Sequence, residues 1–309
     1  MRPIPMFDSK SKLRALLIVI WFSCLGLAAA AAKPPRVQHV FIISFDQGNP
    51  DLIQTSDLPT FHQMAAEGAH AWDAYTVLPS ITLPSHTSML TGVGPQVHQV
   101  LWNDYTPEKG LVKVPTIFSL AKARGLKTAM FVGKEKFKHL ELPGSLDAIV
   151  WPRPEDNAKA VAKSFAAEVG KLKPNLCFIH FRDPDTVGHK TGSHSPEKIQ
   201  ALQECDEALK TIKDAIAAAG LTETSVIILT ADHGSHDSKD KDGKTIGVHN
   251  TGETADVLIP WVAWGKGVKK DFRITAPIVQ YDTAATALWL LRVPVPEHFW
   301  GRPVTSAFK

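Results

Sequence analysis

The stretch Ser225-Val-Ile-Ile-Leu-Thr230-Ala-Asp232-His233-Gly234 decides the fold. Residues 225–230 form a continuous apolar run with no polar alternation, the pattern of a strand buried on both faces. The run ends in an aspartate and a histidine, and Gly234 lets the backbone turn closely there. Working outward, the same design recurs twice. Residues 40–45 read as a buried strand that ends at Asp46, and residues 176–181 as one followed by Asp183 and Asp185. Residues 127–132 and 258–264 read as further strands, and 70–77 is strand-like.

Helix signals separate these runs. Residues 58–67 read as a helix closed by Gly68. Pro115 opens a helix that Gly125 ends, and Asp156 caps one over 156–171. Pro196 opens a long helix over 196–220, and 276–291 is the last. Continuous strands alternating with helices predict an α/β fold, with a mostly parallel central sheet and helices on both faces. No linker-like segment divides the chain after residue 32, which predicts one domain over 33–309. The polar stretch 235–247 reads as a mobile loop.

The N-terminal 32 residues read as a signal peptide. Lys10, Lys12 and Arg14 precede an apolar run over 15–27, and alanines follow at 28–32. The expectation is a secreted or periplasmic protein with no stable membrane span after cleavage. Beyond residue 32 the chain carries 30 basic and 30 acidic residues. That balance argues against a nucleic-acid-binding surface. Cys177 and Cys205, alone in that part, read as buried small hydrophobes.

In an open α/β sheet, ligands gather at the carboxyl ends of the strands. Three strands here each deliver carboxylates to that edge: Asp46, Asp183 with Asp185, and Asp232 with His233. Each alone is what a turn or helix cap would look like. Together they suggest a metal site, since aspartate and imidazole suit zinc. Asp185 and His189, four residues apart, share one side of a helical turn. Thr82 opens an apolar helical segment, where a positive helix end suits a phosphoryl oxygen. A threonine hydroxyl needs a base or a metal to become a nucleophile.

The order Asp46, Thr82-Leu-Pro-Ser-His86, Asp185-Thr-Val-Gly-His189, Asp232-His233-Gly234, His249 resembles the alkaline phosphatase superfamily. Its nearest branch is the type I phosphodiesterase and nucleotide pyrophosphatase family. Thr82 to Gly92, then Pro95-Gln-Val-His98, is the most specific part. The resemblance implies a phosphoric ester hydrolase that uses two divalent metal ions, with zinc the expected identity. It implies one ion held by Asp46, Thr82, Asp232 and His233, and a second by Asp185, His189 and His249. It further implies a phosphothreonine intermediate at Thr82 and a small-molecule phosphate ester as substrate. Ser85 stands where pyrophosphatases carry an asparagine, and is expected to help hold a phosphoryl oxygen. His86 and His98 match family positions and read as structural. His194 and His236 lie near the motifs without a ligand's spacing.

Lys134-x-Lys136 after residues 127–132 is similar to a Lys-x-Arg pair in phosphomonoesterases of the superfamily. It supports an alternative, phosphomonoesterase reading in which Lys134 and Lys136 hold the extra charge of a monoester. A sulfatase would carry Cys/Ser-x-Pro-x-Arg, where this chain has Thr82 and His86. A non-catalytic metal-binding protein would have had no reason to keep all seven ligand candidates.

Overall fold

The computed structural model describes residues 33–150 and 157–309, so residues 1–32 and Asp156 lie outside the described residues. Residues Pro34–Lys309 form one compact unit. At its centre is an eight-stranded sheet in the order β10-β2-β9-β6-β1-β5-β3-β4. The strands are β1 His39–Phe45, β2 Ala69–Tyr75, β3 Thr128–Val132, β4 Ala148–Val150, β5 Leu176–Phe181, β6 Ser225–Ala231, β9 Leu258–Gly265 and β10 Phe272–Arg273. A separate antiparallel pair, β7 His236–Lys239 and β8 Thr245–Val248, packs as a hairpin.

All pairings in the large sheet are parallel except those of β9, which runs against both β6 and β2. The mostly parallel sheet expected from the sequence is therefore present. Alternate residues of β1 enter opposite cores: Val40 and Ile42 face one, Phe41, Ile43 and Phe45 the other. The helices Thr82–Thr91, Ile117–Lys122 and Asp282–Leu290 cover the first face. The helices Pro59–Ala66, Ala158–Leu172 and Pro196–Ala218 cover the second. Burial on both faces is why these strands read as unbroken apolar runs.

Several boundaries differ from expectation for local reasons. The helix expected from residue 156 begins at Ala158, and Asn157 caps it by accepting from the Ala160 N–H at 3.0 Å. The helix near Pro115 begins at Ile117, because Thr116 and Ser119 close a reciprocal capping box. The last helix starts at Asp282, since Tyr75 bridges Val279 and the chain before it runs beside β2. The stretch 235–247 is not the expected loop. It forms the hairpin β7–β8, tied to the rest when Asp237 Oδ1 accepts from the Ser193 N–H at 2.5 Å.

The topology explains the position of every motif. β1, β2, β3, β5 and β6 point the same way, so the residues after each emerge at one sheet edge. β9 runs the opposite way, so the segment that precedes it reaches the same edge. Asp46, Thr82, Lys134, Asp185, Asp232 and His249 all lie on these connections.

Candidate metal centre

Three histidines in this edge share one arrangement. His233 Nδ1 lies 3.0 Å from the Gly234 carbonyl, His249 Nδ1 2.8 Å from the Ser80 carbonyl, and His189 Nδ1 3.0 Å from the Gly247 carbonyl. A carbonyl only accepts, so each Nδ1 carries a proton, and each ring when neutral presents a lone pair at Nε2. Those nitrogens converge with carboxylate oxygens in two clusters. In the first, His233 Nε2 is 3.3 Å from Asp232 Oδ2 and 3.6 Å from Asp46 Oδ1. In the second, Asp185 Oδ1 is 3.1 Å from His189 Nε2 and 3.7 Å from His249 Nε2, and the two nitrogens are 3.2 Å apart.

Four-coordinate zinc with bonds near 2.0–2.1 Å sets its ligand atoms about 3.3–3.4 Å apart. The observed separations bracket that value. Asp46 Oδ1, Asp232 Oδ2 and His233 Nε2 are buried with no hydrogen-bond partner among the described residues, which a packed interior tolerates poorly. Partnerless lone pairs facing one another are a donor set suited to a cation. The two clusters adjoin, because ligand atoms of Asp46, Asp185 and His233 also fall within 4.8 Å of one another.

The remaining carboxylate oxygens are fixed from behind. Asp46 Oδ2 meets His180 Nε2 at 2.9 Å and Lys134 Nζ at 2.5 Å. Asp232 Oδ1 accepts from the Gln47 and His233 N–H groups at 3.1 and 3.0 Å. Asp185 accepts from Lys134 at Oδ2, 2.6 Å away, and from Gln47 Nε2 at Oδ1, 3.2 Å away. Gly188 and Gly234 permit these approaches. A Cβ at 188 would lie 2.1 Å from Gln47 Oε1, and one at 234 would lie 2.0 Å from the Ala255 carbonyl oxygen.

Charge in the cluster is uneven. Burial would raise the Asp46 pKa, but Lys134, His180 and His233 hold it well below the usual range. Burial and the charge of Asp46 push Asp232 well above it. Burial and the neighbouring His249 pull His233 down to about 3, keeping the ring neutral. His189 is raised by its contact with Asp185, so a proton and a cation compete for Nε2.

Thr82 is the first residue of the helix Thr82–Thr91, after Ile81 at the cap. It is buried, and Lys134 Nζ approaches its Oγ1 at 3.3 Å. Lys134 thus belongs to the cluster, with its pKa raised by Asp185 and Asp46 against the cost of burial. Lys136 is half-buried and has no hydrogen bond or ion pair among the described residues. Lys138 pairs instead with Glu135 at the surface.

Ser85 is placed differently from its expectation. Its hydroxyl bonds the Asp232 carbonyl at 2.6 Å, Thr76 Oγ1 at 2.8 Å and Gln280 Nε2 at 2.8 Å. Its single O–H is given to the Asp232 carbonyl, which leaves no donor for a phosphoryl oxygen. Ser85 supports the loop that carries Asp232. Asp183 accepts from the Ala158 N–H at 2.8 Å and stands outside the cluster. His86 is buried between Ser44 and the Thr82 carbonyl, and His98 between Ser88 and the Val100 N–H. His194 and His236 pair with Asp51 and Asp256.

Four residues at the site were not legible beforehand. His180 supports Asp46, while Gln47 and Lys198 lie behind the carboxylates. Asn103 Oδ1 accepts from the Leu83 N–H at 2.9 Å, which places its amide beside Thr82. Its amide nitrogen has no partner among the described residues. A lone Asn before Asp104 offers no periodic or spacing signal.

Comparison with known proteins gives the family and the fold. The family model described as type I phosphodiesterase / nucleotide pyrophosphatase matches residues 40–273. Ectonucleotide pyrophosphatase/phosphodiesterase family member 7 of Mus musculus is 24% identical over 249 residues, covering 71% of this chain and 55% of the relative. A bis(5'-adenosyl)-triphosphatase of Bos taurus is 24% identical over 252 residues, covering 73% and 54%. The chain spans about half the length of these curated relatives. Murine ectonucleotide pyrophosphatase/phosphodiesterase 5, an inactive variant in complex with AMP, superposes with a TM-score of 0.75 at 16% identity, covering 88% of this chain and 100% of that one. A phosphonate monoester hydrolase from Silicibacter pomeroyi gives 0.66 at 15% identity, covering 88% and 77%. The fold is alkaline phosphatase-like, and the chain belongs to the type I phosphodiesterase / nucleotide pyrophosphatase family.

Proposed function

We propose that this chain hydrolyses small phosphoric esters through Thr82, in the manner of a phosphodiesterase or nucleotide pyrophosphatase. The observation that carries the reading is the pair of adjoining carboxylate–imidazole clusters, linked through Lys134 to a buried threonine at a helix start. Asp46, Asp232 and His233, with Thr82, would hold one divalent ion, and Asp185, His189 and His249 another. Zinc suits both donor sets. Ions bound there would lower the pKa of the Thr82 hydroxyl and neutralise charge on the phosphoryl group.

The chain's own groups supply the rest. Thr82 Oγ1 attacks phosphorus and the ester oxygen leaves, giving a phosphothreonine that water then hydrolyses. The Lys134 ammonium, 3.3 Å from Thr82 Oγ1, stabilises the hydroxyl's conjugate base and the transferring oxygens. Asn103, whose Oδ1 accepts from the Leu83 N–H and whose amide nitrogen has no partner among the described residues, would donate to the same oxygens. Residues 1–32 serve as an export signal and 33–309 as the catalytic domain, in a secreted or periplasmic protein. Among the described residues no helix is long and apolar enough to cross a membrane.

A second reading, phosphomonoesterase, draws on Lys136, a half-buried cation two residues from Lys134 with no ion pair among the described residues. The test of the main proposal is turnover of bis-p-nitrophenyl phosphate and p-nitrophenyl phosphate, before and after chelation, alongside zinc analysis. About two ions per chain and chelator-sensitive turnover are expected. A folded protein that takes up no metal from excess zinc, or that turns over equally well without it, refutes the reading.

A further inference from the structure

Lys198 is wholly buried on the helix Pro196–Ala218, yet no carboxylate pairs with it among the described residues. Buried lysines are rare without a counter-charge, because the ammonium loses its hydration. Its Nζ donates to three neutral oxygens: Gln47 Oε1 at 2.9 Å, Asn49 Oδ1 at 2.9 Å and Ser235 Oγ at 3.0 Å. Ser235 in turn donates its hydroxyl to Asn49 Oδ1 at 2.9 Å, so it can only accept from the lysine. All three ammonium protons are used. Burial still pulls the pKa down to about 7, with Asp185 the largest opposing influence.

These oxygens belong to the two loops that carry Asp46 and Asp232. Gln47 follows Asp46 directly and sits at φ 60, a left-handed conformation uncommon for a residue with a side chain. In that conformation its N–H reaches Asp232 Oδ1 and its Nε2 reaches Asp185 Oδ1. An ammonium only donates and a carboxylate only accepts. The amide between them has one permitted orientation, oxygen toward Lys198 and nitrogen toward Asp185.

We propose that Lys198 is a positioning residue for the metal centre: it locks the Gln47 amide, which then sets the carboxylates of Asp185 and Asp232. The inference rests on the clusters being divalent-metal sites. Lys198 makes no hydrogen bond to the ligands or to Thr82; its route to Asp185 and Asp232 runs through Gln47, while its bonds to Asn49 and Ser235 tie together the same two loops. Groups behind metal ligands commonly change metal affinity about 10–100-fold when removed.

The experiment is a double-mutant cycle on zinc affinity, read by competition with a chelating indicator. It uses wild type, Lys198→Met, Gln47→Met and the double variant, each checked for fold by circular dichroism. Lys198→Met keeps most of the side-chain volume while removing the donors. The expected result is a roughly 10–100-fold weaker zinc affinity for each single variant, with the loss in the double variant well short of the two single losses combined. Unchanged affinity in Lys198→Met overturns the proposal, as do fully additive losses, which would mean Lys198 acts independently of Gln47. Should Lys198→Met fail to fold, an unaltered zinc affinity in Gln47→Met alone overturns it. A folded wild type that binds no zinc refutes the metal reading itself, a distinct outcome from wild-type binding that Lys198→Met leaves intact.

Discussion

Replacing Lys136 with methionine separates the two ester readings. Lys136 lies in the turn Glu135–Leu140 after β3, two residues beyond Lys134. Burial, then the charge of Lys134, lowers its pKa to about 8, so most of the population is charged at pH 7. No carboxylate forms an ion pair with it among the described residues, although Asp46, Asp185 and Asp104 oppose the fall in pKa. A phosphate monoester carries one more negative charge than a diester at neutral pH, and a second cation two residues from Lys134 favours the monoester. A charge-assisted contact contributes about 1.5–3 kcal/mol. At about 1.4 kcal/mol per factor of ten, that predicts a 10–150-fold fall in kcat/KM for p-nitrophenyl phosphate. Bis-p-nitrophenyl phosphate should change by less than about 3-fold, since it leaves that contact unused. The wild-type ratio of monoester to diester rates should also fall as pH rises through about 8, where Lys136 loses its proton, and the variant's should not. Lys134→Ala is a poorer probe. Lys134 bridges Asp46, Asp185 and Thr82, so its loss should reduce both activities. Equal losses for both esters in Lys136→Met, or no loss, would refute the reasoning and favour a pure diesterase.

Thr82→Ala should remove nearly all turnover and the phosphothreonine detectable by mass spectrometry, whereas Thr82→Ser should keep part of the rate. A wild-type rate in Thr82→Ala would move the nucleophile elsewhere, with the buried and partnerless Ser80 hydroxyl the first suspect. Zinc should stabilise the protein: an excess of about 1,000-fold over Kd adds roughly 4 kcal/mol, seen as a higher Tm that chelator reverses. The buried His98 gives an acid-sensitive term. Burial lowers its pKa from 6.5 to about 4, so between those values the unfolded chain binds the extra proton. Stability should therefore drop by roughly 3 kcal/mol as pH falls from above 6.5 to below 4. Urea melts of wild type and His98→Asn should converge at low pH, and parallel pH profiles would contradict the assignment.

What could be read from the sequence follows from which physical signals are local. Strands β1, β5 and β6 announced themselves because both faces are buried, leaving no polar alternation to confuse the pattern. The carboxylates that end them were legible for the same reason, since each closes an apolar run. The hairpin β7–β8 was not. His236-Asp-Ser-Lys239 packs half-exposed, and its order comes from Asp237 holding the Ser193 N–H and from Gly247 meeting His189. Those partners are distant in sequence. Ser85 illustrates the opposite failure: a motif position suggested substrate contact, but Thr76 and Gln280, from separate elements, take up its hydroxyl. Lys198 was hidden most completely, because Glu197-Lys198 near a helix start looks like solvated surface. Its meaning depends on where the loops after β1 and β6 come together, and Gly188 is what leaves room there for the Gln47 amide. The ligands are thus written at strand ends, where local pattern exposes them. The groups that orient those ligands are defined only by tertiary contact, which is why the supporting layer needed the structure.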